Sequence, residues 1–257
     1  MPSLPASAIH RLFDDAGLFP PAQLPMAEAL VAHERAVTGR YRRMVGPFLC
    51  PISRLDEMNA CVAAGRPRPS EIGIIAYDLA TAGGRRLEPM DGLVQCEAPL
   101  GVPLRDLGLR VPRYLEIPHH GDVDKALDAV AAAEARVKVR CGGPTRQAVP
   151  SCRWLAEVLI GSVERSLTLK ATAGLHQPFR HIGPNGPQHG FINLLAAAAA
   201  ARTGGTPARV ADILAMAEPK ALDLVDQLTD ARQLVSSIGS CSIDEPVEAL
   251  VKRGLLT

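Results

Sequence analysis

The sequence predicts an α/β chain folded as a TIM-like (β/α)8 barrel, irregular or with seven recognisable strands, behind an N-terminal helical extension over 1–40. Three observations predict it. Short apolar runs alternate with helical patterns over about 200 residues, which calls for right-handed βαβ units and a parallel sheet. Four successive strand runs carry one apolar and one polar face, whereas central strands of open sheets, buried on both sides, read as nearly continuous apolar runs. The first such run, MVGPFLCPISRL, lacks the GxGxxG turn of a dinucleotide-binding sheet.

Taken in order, the extension breaks at Pro20-Pro21 and resumes with apolar residues at helical spacing from Pro25 to Thr38. Within it, Asp14-Asp15 and Gly17 fit either a plug at the barrel bottom or a cover over its mouth. Strand runs follow at 44–50, 72–77, 93–98, 114–118, 136–141, 167–173 and 235–241, each Val- or Ile-rich and ending near Gly, Pro or a polar cluster. Ser53, with Asp56 as a capping box and Gly65 as a stop, opens one intervening helix. Asp122 and Ser151 open two more. Residues 174–189 read as a loop, and 190–202 as a strand followed by a helix or as a helix alone. The whole chain, 1–257, reads as one domain.

Lys plus Arg number 28 against 27 acids, a net charge of +1, so no global field draws in nucleic acid or an anionic membrane. Three Tyr, five Phe and one Trp argue against base-stacking platforms. The start lacks a secretory pattern, and the longest apolar run, Leu194 to Ala201, falls far short of a bilayer span. Six scattered Cys without CxxC fit reduced thiols. A cytoplasmic protein without nucleic-acid or membrane partners is expected, and pairing into a homo-oligomer suits a barrel of this size.

In a barrel the polar strand faces turn inward, which brings Glu97, Glu116, Lys138, Arg140 and Lys170 to one mouth. Lys170 shares its face with Thr168 and Thr172. Only five of the basic residues are Lys, so a lysine within the apolar LTLKATAGLH stands out. Burial near Lys138 and Arg140 is expected to depress its pKa, and a neutral amine attacks carbonyls. Arg140, Gly142 and Gly143 offer a guanidinium fork and open N–H groups to an anion. His176, separated from that strand by two residues, suits general acid–base work. Ser240 closes the last strand, placed to hydrogen-bond a substrate phosphate. Cys241 has no local partner to activate it.

Lys170-Ala171-Thr172-Ala173-Gly174 resembles the Lys-x-Thr-x-Gly segment on the sixth strand of deoxyribose-phosphate-aldolase-type class I aldolases, and by the strand runs above Lys170 closes the sixth strand. The resemblance covers five residues. It implies an imine at Lys170 and carbon–carbon lyase chemistry on a small anionic carbonyl compound, without a cofactor. The second lysine of that family has no counterpart between 171 and 219, which leaves Lys138 or Arg140 as the neighbouring positive charge. Two alternatives stand beside it. One is metal-assisted enolisation, isomerisation or lyase chemistry, with Glu97 and Glu116 as ligands of a divalent cation, similar to the enolase-type barrels. The other is a barrel that binds or scaffolds without chemistry.

Overall fold

The computed structural model of the chain describes residues 3–77, 90–104, 108–183, 186–217 and 228–256. Eight parallel strands close into a barrel: β1 (Phe13–Asp15), β2 (Val45–Pro51), β3 (Ile72–Ile75), β4 (Leu93–Pro99), β5 (Arg113–Glu116), β6 (Arg136–Arg140), β7 (Leu169–Thr172) and β10 (Val235–Ser240). A two-stranded antiparallel hairpin, β8 (His181–Gly183) with β9 (Gly186–Gln188), stands outside it. All seven strand runs expected from the sequence are barrel strands. The eighth is Phe-Asp-Asp, three residues inside the segment read as a helical extension. It closes the cylinder by pairing with β2 on one side and β10 on the other.

Three residues are too few to show alternation in a sequence, yet β1 alternates. Phe13 packs its ring edge-on to Phe191 outside the barrel, Asp14 points into the barrel, and Asp15 reaches His33 on the outside. Asp14 therefore neither plugs the bottom nor covers the mouth; it belongs to the interior. Gly46 on β2 makes room for it, since a Cβ there would stand 2.2 Å from Asp14 Oδ1.

The helices are α1 (Ala6–Ile9), α2 (Met26–Thr38), α3 (Leu55–Ala63), α4 (Val123–Ala132), α5 (Cys152–Glu164), α6 (Phe191–Arg202), α7 (Pro207–Ala215), α8 (Leu228–Ala231) and α9 (Asp244–Lys252). Asp122 and Ser151 cap α4 and α5 as expected, accepting from the Lys125 and Trp154 N–H groups. At α3 the N-cap is Arg54 rather than Ser53. A 3-10 turn over Ile52–Arg54 runs into the helix instead, and its N-cap, Arg54, makes no side-chain cap bond.

Residues 190–202 resolve to helix alone. Every residue of FINLLAAAAAAR except Ala200 and Arg202 is buried, around the whole circumference, among them Phe191, Leu194, Leu195 and Ala198. A helix enclosed on every side has no polar stripe, which is why its period is illegible in the sequence. Its one polar insertion, Asn193, is fully buried and fully used. Nδ2 donates to the Ile213 and Met216 carbonyls at the end of α7, and Oδ1 accepts from the Arg180 N–H. Replacing Asn193 with Leu should leave those backbone groups unmet. The expected loss is about 1–3 kcal/mol in chemical unfolding, against little change for a surface substitution such as Arg153→Lys.

Candidate functional site

The inward faces of β4 to β7 bring together what the sequence placed there. Glu116, Lys138 and Lys170 lie at one level on three adjacent strands, and Ser237 of β10 continues it. Two ammonium groups on neighbouring strands would repel. Glu97, reaching in from β4, separates them: one carboxylate oxygen bonds Lys170 Nζ and the other lies 2.9 Å from Lys138 Nζ. Lys170 also meets Asp14 Oδ2 at 2.5 Å, and Lys138 meets Glu116 Oε2 at 3.1 Å. Asp14, Lys170, Glu97, Lys138, Glu116 and Arg140 thus form a chain of alternating sign with no net charge, running from the barrel interior to its C-terminal mouth.

The chain is dry at one end and wet at the other. Lys170 is 0% exposed, whereas the Arg140 side chain, 4.0 Å from Glu116, is 38% exposed. Supporting groups complete it. Gln95 donates to both Asp14 and Glu97, and Ser237 donates to Asp14. Tyr114 lies beneath Lys170 with its ring centre 5.8 Å from Nζ, and Tyr77 stands over Lys138 and donates to Glu116 at 3.4 Å. Asp14, Gln95 and Tyr77 are members that the sequence reading missed. Gln95 was visible as the inward neighbour of Glu97, and Asp14 needed the eighth strand.

The pKa shifts follow from this enclosure. Burial pulls Lys170 down, but the Asp14 and Glu97 carboxylates outweigh it and hold the amine above its ordinary value. Lys138 is likewise raised, burial being overcome by Glu97, Tyr77 and Glu116. Burial pushes Glu97 up, but the two lysines prevail and hold it below the usual carboxylate range. The expected depression of Lys170 is therefore reversed, because its nearest charged neighbours are carboxylates rather than Lys138 and Arg140. With Phe13–Asp15 as the first strand, Lys170 lies on the seventh strand rather than the sixth.

Other expected site residues are placed as follows. Gly142 leaves no open cradle; a Cβ on it would stand 2.7 Å from the Gly174 Cα, so its lack of a side chain lets the β6 and β7 loops touch. Gly143 sits as tightly against Ala148. Thr172 ends β7 half-buried beside Gly239, and Ser240 Oγ donates to the Ser242 carbonyl at 2.5 Å. His176 contacts Cys241 and Glu245. His189 is buried against the Pro150 carbonyl and held below the ordinary histidine value by desolvation. Glu97 spends both oxygens on lysines and would have to release an ammonium group to ligate a cation, whereas Glu116 meets Lys138, Arg140 and Tyr77 through Oε2. Among the described residues no group of three His, Cys, Asp or Glu is placed to hold a metal ion. Among the same residues no helix is long and apolar enough to cross a membrane.

No protein-family model and no curated protein matches this chain. Among solved structures, dihydropteroate synthase of Xanthomonas albilineans, in complex with indole-2-carboxylic acid and 6-chloroguanine, aligns over 99% of this chain and 98% of that one. It is 12% identical, with a TM-score of 0.44. A likeness of that degree says nothing about chemistry.

Removing one member of a buried ionic chain leaves its partners uncompensated. Lys170→Met should cost about 3–5 kcal/mol, read as a fall in the urea unfolding midpoint at pH 7. The pH dependence has a definite sign. A depressed Glu97 contributes stability above its unfolded value of about 4.3, lost as pH falls; raised lysines contribute below about 10.4, lost as pH climbs beyond it. Thermal unfolding should show a plateau between these limits. Glu97→Gln should lower the plateau and flatten its acid limb.

Proposed function

We propose that this chain is a barrel enzyme that acts on a small anionic carbonyl compound by acid–base chemistry at the C-terminal mouth. The observation that carries the reading is the alternating chain from Asp14 to Arg140, buried at one end and open at the other. A barrel interior is ordinarily filled with branched apolar layers, and its mouth is where catalytic side chains gather. An ionic interior leading to that mouth costs desolvation that a purely structural core avoids. In this reading Arg140 holds the substrate anion through its exposed fork. Glu116 moves the proton next to the carbonyl, and Lys138 polarises the carbonyl oxygen as a fixed ammonium. Glu97 orients Lys138, with Lys170 and Asp14 balancing the charge behind it.

A second reading makes Lys170 the nucleophile of a carbon–carbon lyase, as the resemblance implies. Asp14 Oδ2, 2.5 Å from Nζ, is placed to take the ammonium proton; because Asp14 and Glu97 hold that proton on the amine, the substrate must first draw them away. The freed amine would add to the carbonyl and expel water as the imine forms, and the substrate would have to open the Glu97–Lys138 bridge to arrive.

Both are tested with pyruvate, acetaldehyde and dihydroxyacetone phosphate in heavy water, followed by borohydride reduction and peptide mass mapping; glyoxylate joins the reduction step. The first reading expects exchange of the hydrogens next to the carbonyl of an anionic compound. Glu116→Gln should lower that exchange by roughly 100-fold or more, and Arg140→Ala should act mainly on KM. A reduced adduct at Lys170 establishes the second reading instead. Neither exchange nor adduct with any of these compounds overturns both for this substrate class and leaves the binding barrel.

A further inference from the structure

The adjoining sector of the mouth carries a second constellation that the lysine chain does not use. Cys241 follows the end of β10, and His176 follows the end of the neighbouring strand β7. The backbone between β7 and His176 turns sharply: Ala173 and Gly174 both have positive φ, 61° and 73°. For Ala173 that conformation costs about 1–2 kcal/mol, and such strain concentrates where a side chain must be delivered to one place. The result is His176 Nε2 at 3.7 Å from Cys241 Sγ.

The other ring nitrogen faces a carboxylate. His176 Nδ1 lies 2.7 Å from Glu245 Oε2, close enough for an ion pair though off the line of a good hydrogen bond, so Nδ1 has no hydrogen-bond partner among the described residues. The Glu245 backbone is anchored in turn, its N–H donating to Ser242 Oγ in the first turn of α9. Thiol, imidazole and carboxylate thus stand in the order of a nucleophile, its base and the base's orienter. Burial pushes the Cys241 thiol up, in part offset by the Ala22 N–H, so the sulfur needs a base in order to react. Cys241 is half-buried, open to a small reagent, unlike the buried Cys50, Cys96 and Cys141.

We propose that Cys241, His176 and Glu245 form a second reactive site, one that accepts an acyl group from an activated ester or thioester. The sulfur attacks the acyl carbon while His176 Nε2 takes the thiol proton. The bond from that carbon to the leaving oxygen or sulfur then breaks, and His176 returns the proton to the leaving group. Water, deprotonated by the same imidazole, releases the acid and restores the thiol. No oxidant, metal or cofactor enters the balance. The site stands apart from the lysine reading and survives its failure.

The test is acylation of the full chain by p-nitrophenyl acetate, followed by nitrophenolate release and peptide mass mapping, with half-buried Cys61 as the internal standard. Cys241 should be acylated well ahead of Cys61. His176→Gln should slow Cys241 by roughly 100-fold, and Glu245→Gln should slow it by less, Cys61 being unchanged in both. Cys241→Ser should abolish the fast phase. Acylation of Cys241 no faster than that of Cys61, or at the parent rate in both variants, overturns the proposal. Acylation of Cys50, Cys96 or Cys141 would mark an unfolded His176→Gln protein. Glu245→Gln, which alters an exposed side chain, then decides.

Discussion

Two lysines on adjacent strands, at one level and both facing inward, set the terms for the rest of the barrel. Side by side, the Lys138 and Lys170 ammonium groups repel, and no water reaches Lys170 to screen them. Glu97 must therefore stand between them, one oxygen to each, and Asp14 and Glu116 must close the two ends. That demand reaches into the backbone. Gly46 leaves the space Asp14 occupies, and Gly73 does the same for Gln95, whose amide would stand 2.9 Å from a Cβ there. A side chain at Gly46 would push Asp14 off Lys170, and one at Gly73 would push away the Gln95 amide that donates to Asp14 and Glu97.

Energetically such an arrangement is closer to neutral than to stabilising. Desolvation of each buried ion costs several kcal/mol, which the mutual attraction only offsets when every partner is in place. Well-packed apolar residues would fill the same volume without that demand. This asymmetry favours function, and so does position: the ions lead outward to the C-terminal mouth, and the hydrophobic core lies between the sheet and the helices. By contrast, a cleft of about 780 Å3 lined by Arg40, Tyr41 and Met44 lies by the N-terminal ends of β1 and β2, where barrel conservation ordinarily concerns stability.

The mouth divides into two sectors by strand. β4, β5 and β6 furnish Glu97, Glu116, Lys138 and Arg140, while the ends of β7 and β10 furnish His176 and Cys241. Lys170 and Asp14, on β7 and β1, tie the first sector to the strands beneath the second. Gly142 against Gly174 brings the loops of β6 and β7 within backbone contact, so the two sectors share a wall.

Much of the fold was legible in the sequence. Period-two alternation in RVKVRC and LTLKATA assigns Lys138 and Lys170 to the inner face, because a strand has only two faces and the apolar one must meet the helices. The same logic finds Glu97 and Glu116. Three things were beyond it. A strand of three residues carries no period, so Phe13–Asp15 and its Asp14 were hidden within a helical segment. A helix buried on all sides, Phe191–Arg202, shows no stripe. And the partners of a buried charge depend on which strands adjoin across the closed cylinder. The strand faces brought Lys170 near Lys138 and Arg140, whereas closure through β1 added Asp14 opposite Glu97, set the amine between two carboxylates and turned its pKa upward instead of down. The same dependence joined Cys241 to His176, 65 positions apart. Local sequence determines which way a side chain points; only closure of the barrel decides what it meets, since Coulomb energy is set by distance in space and not along the chain.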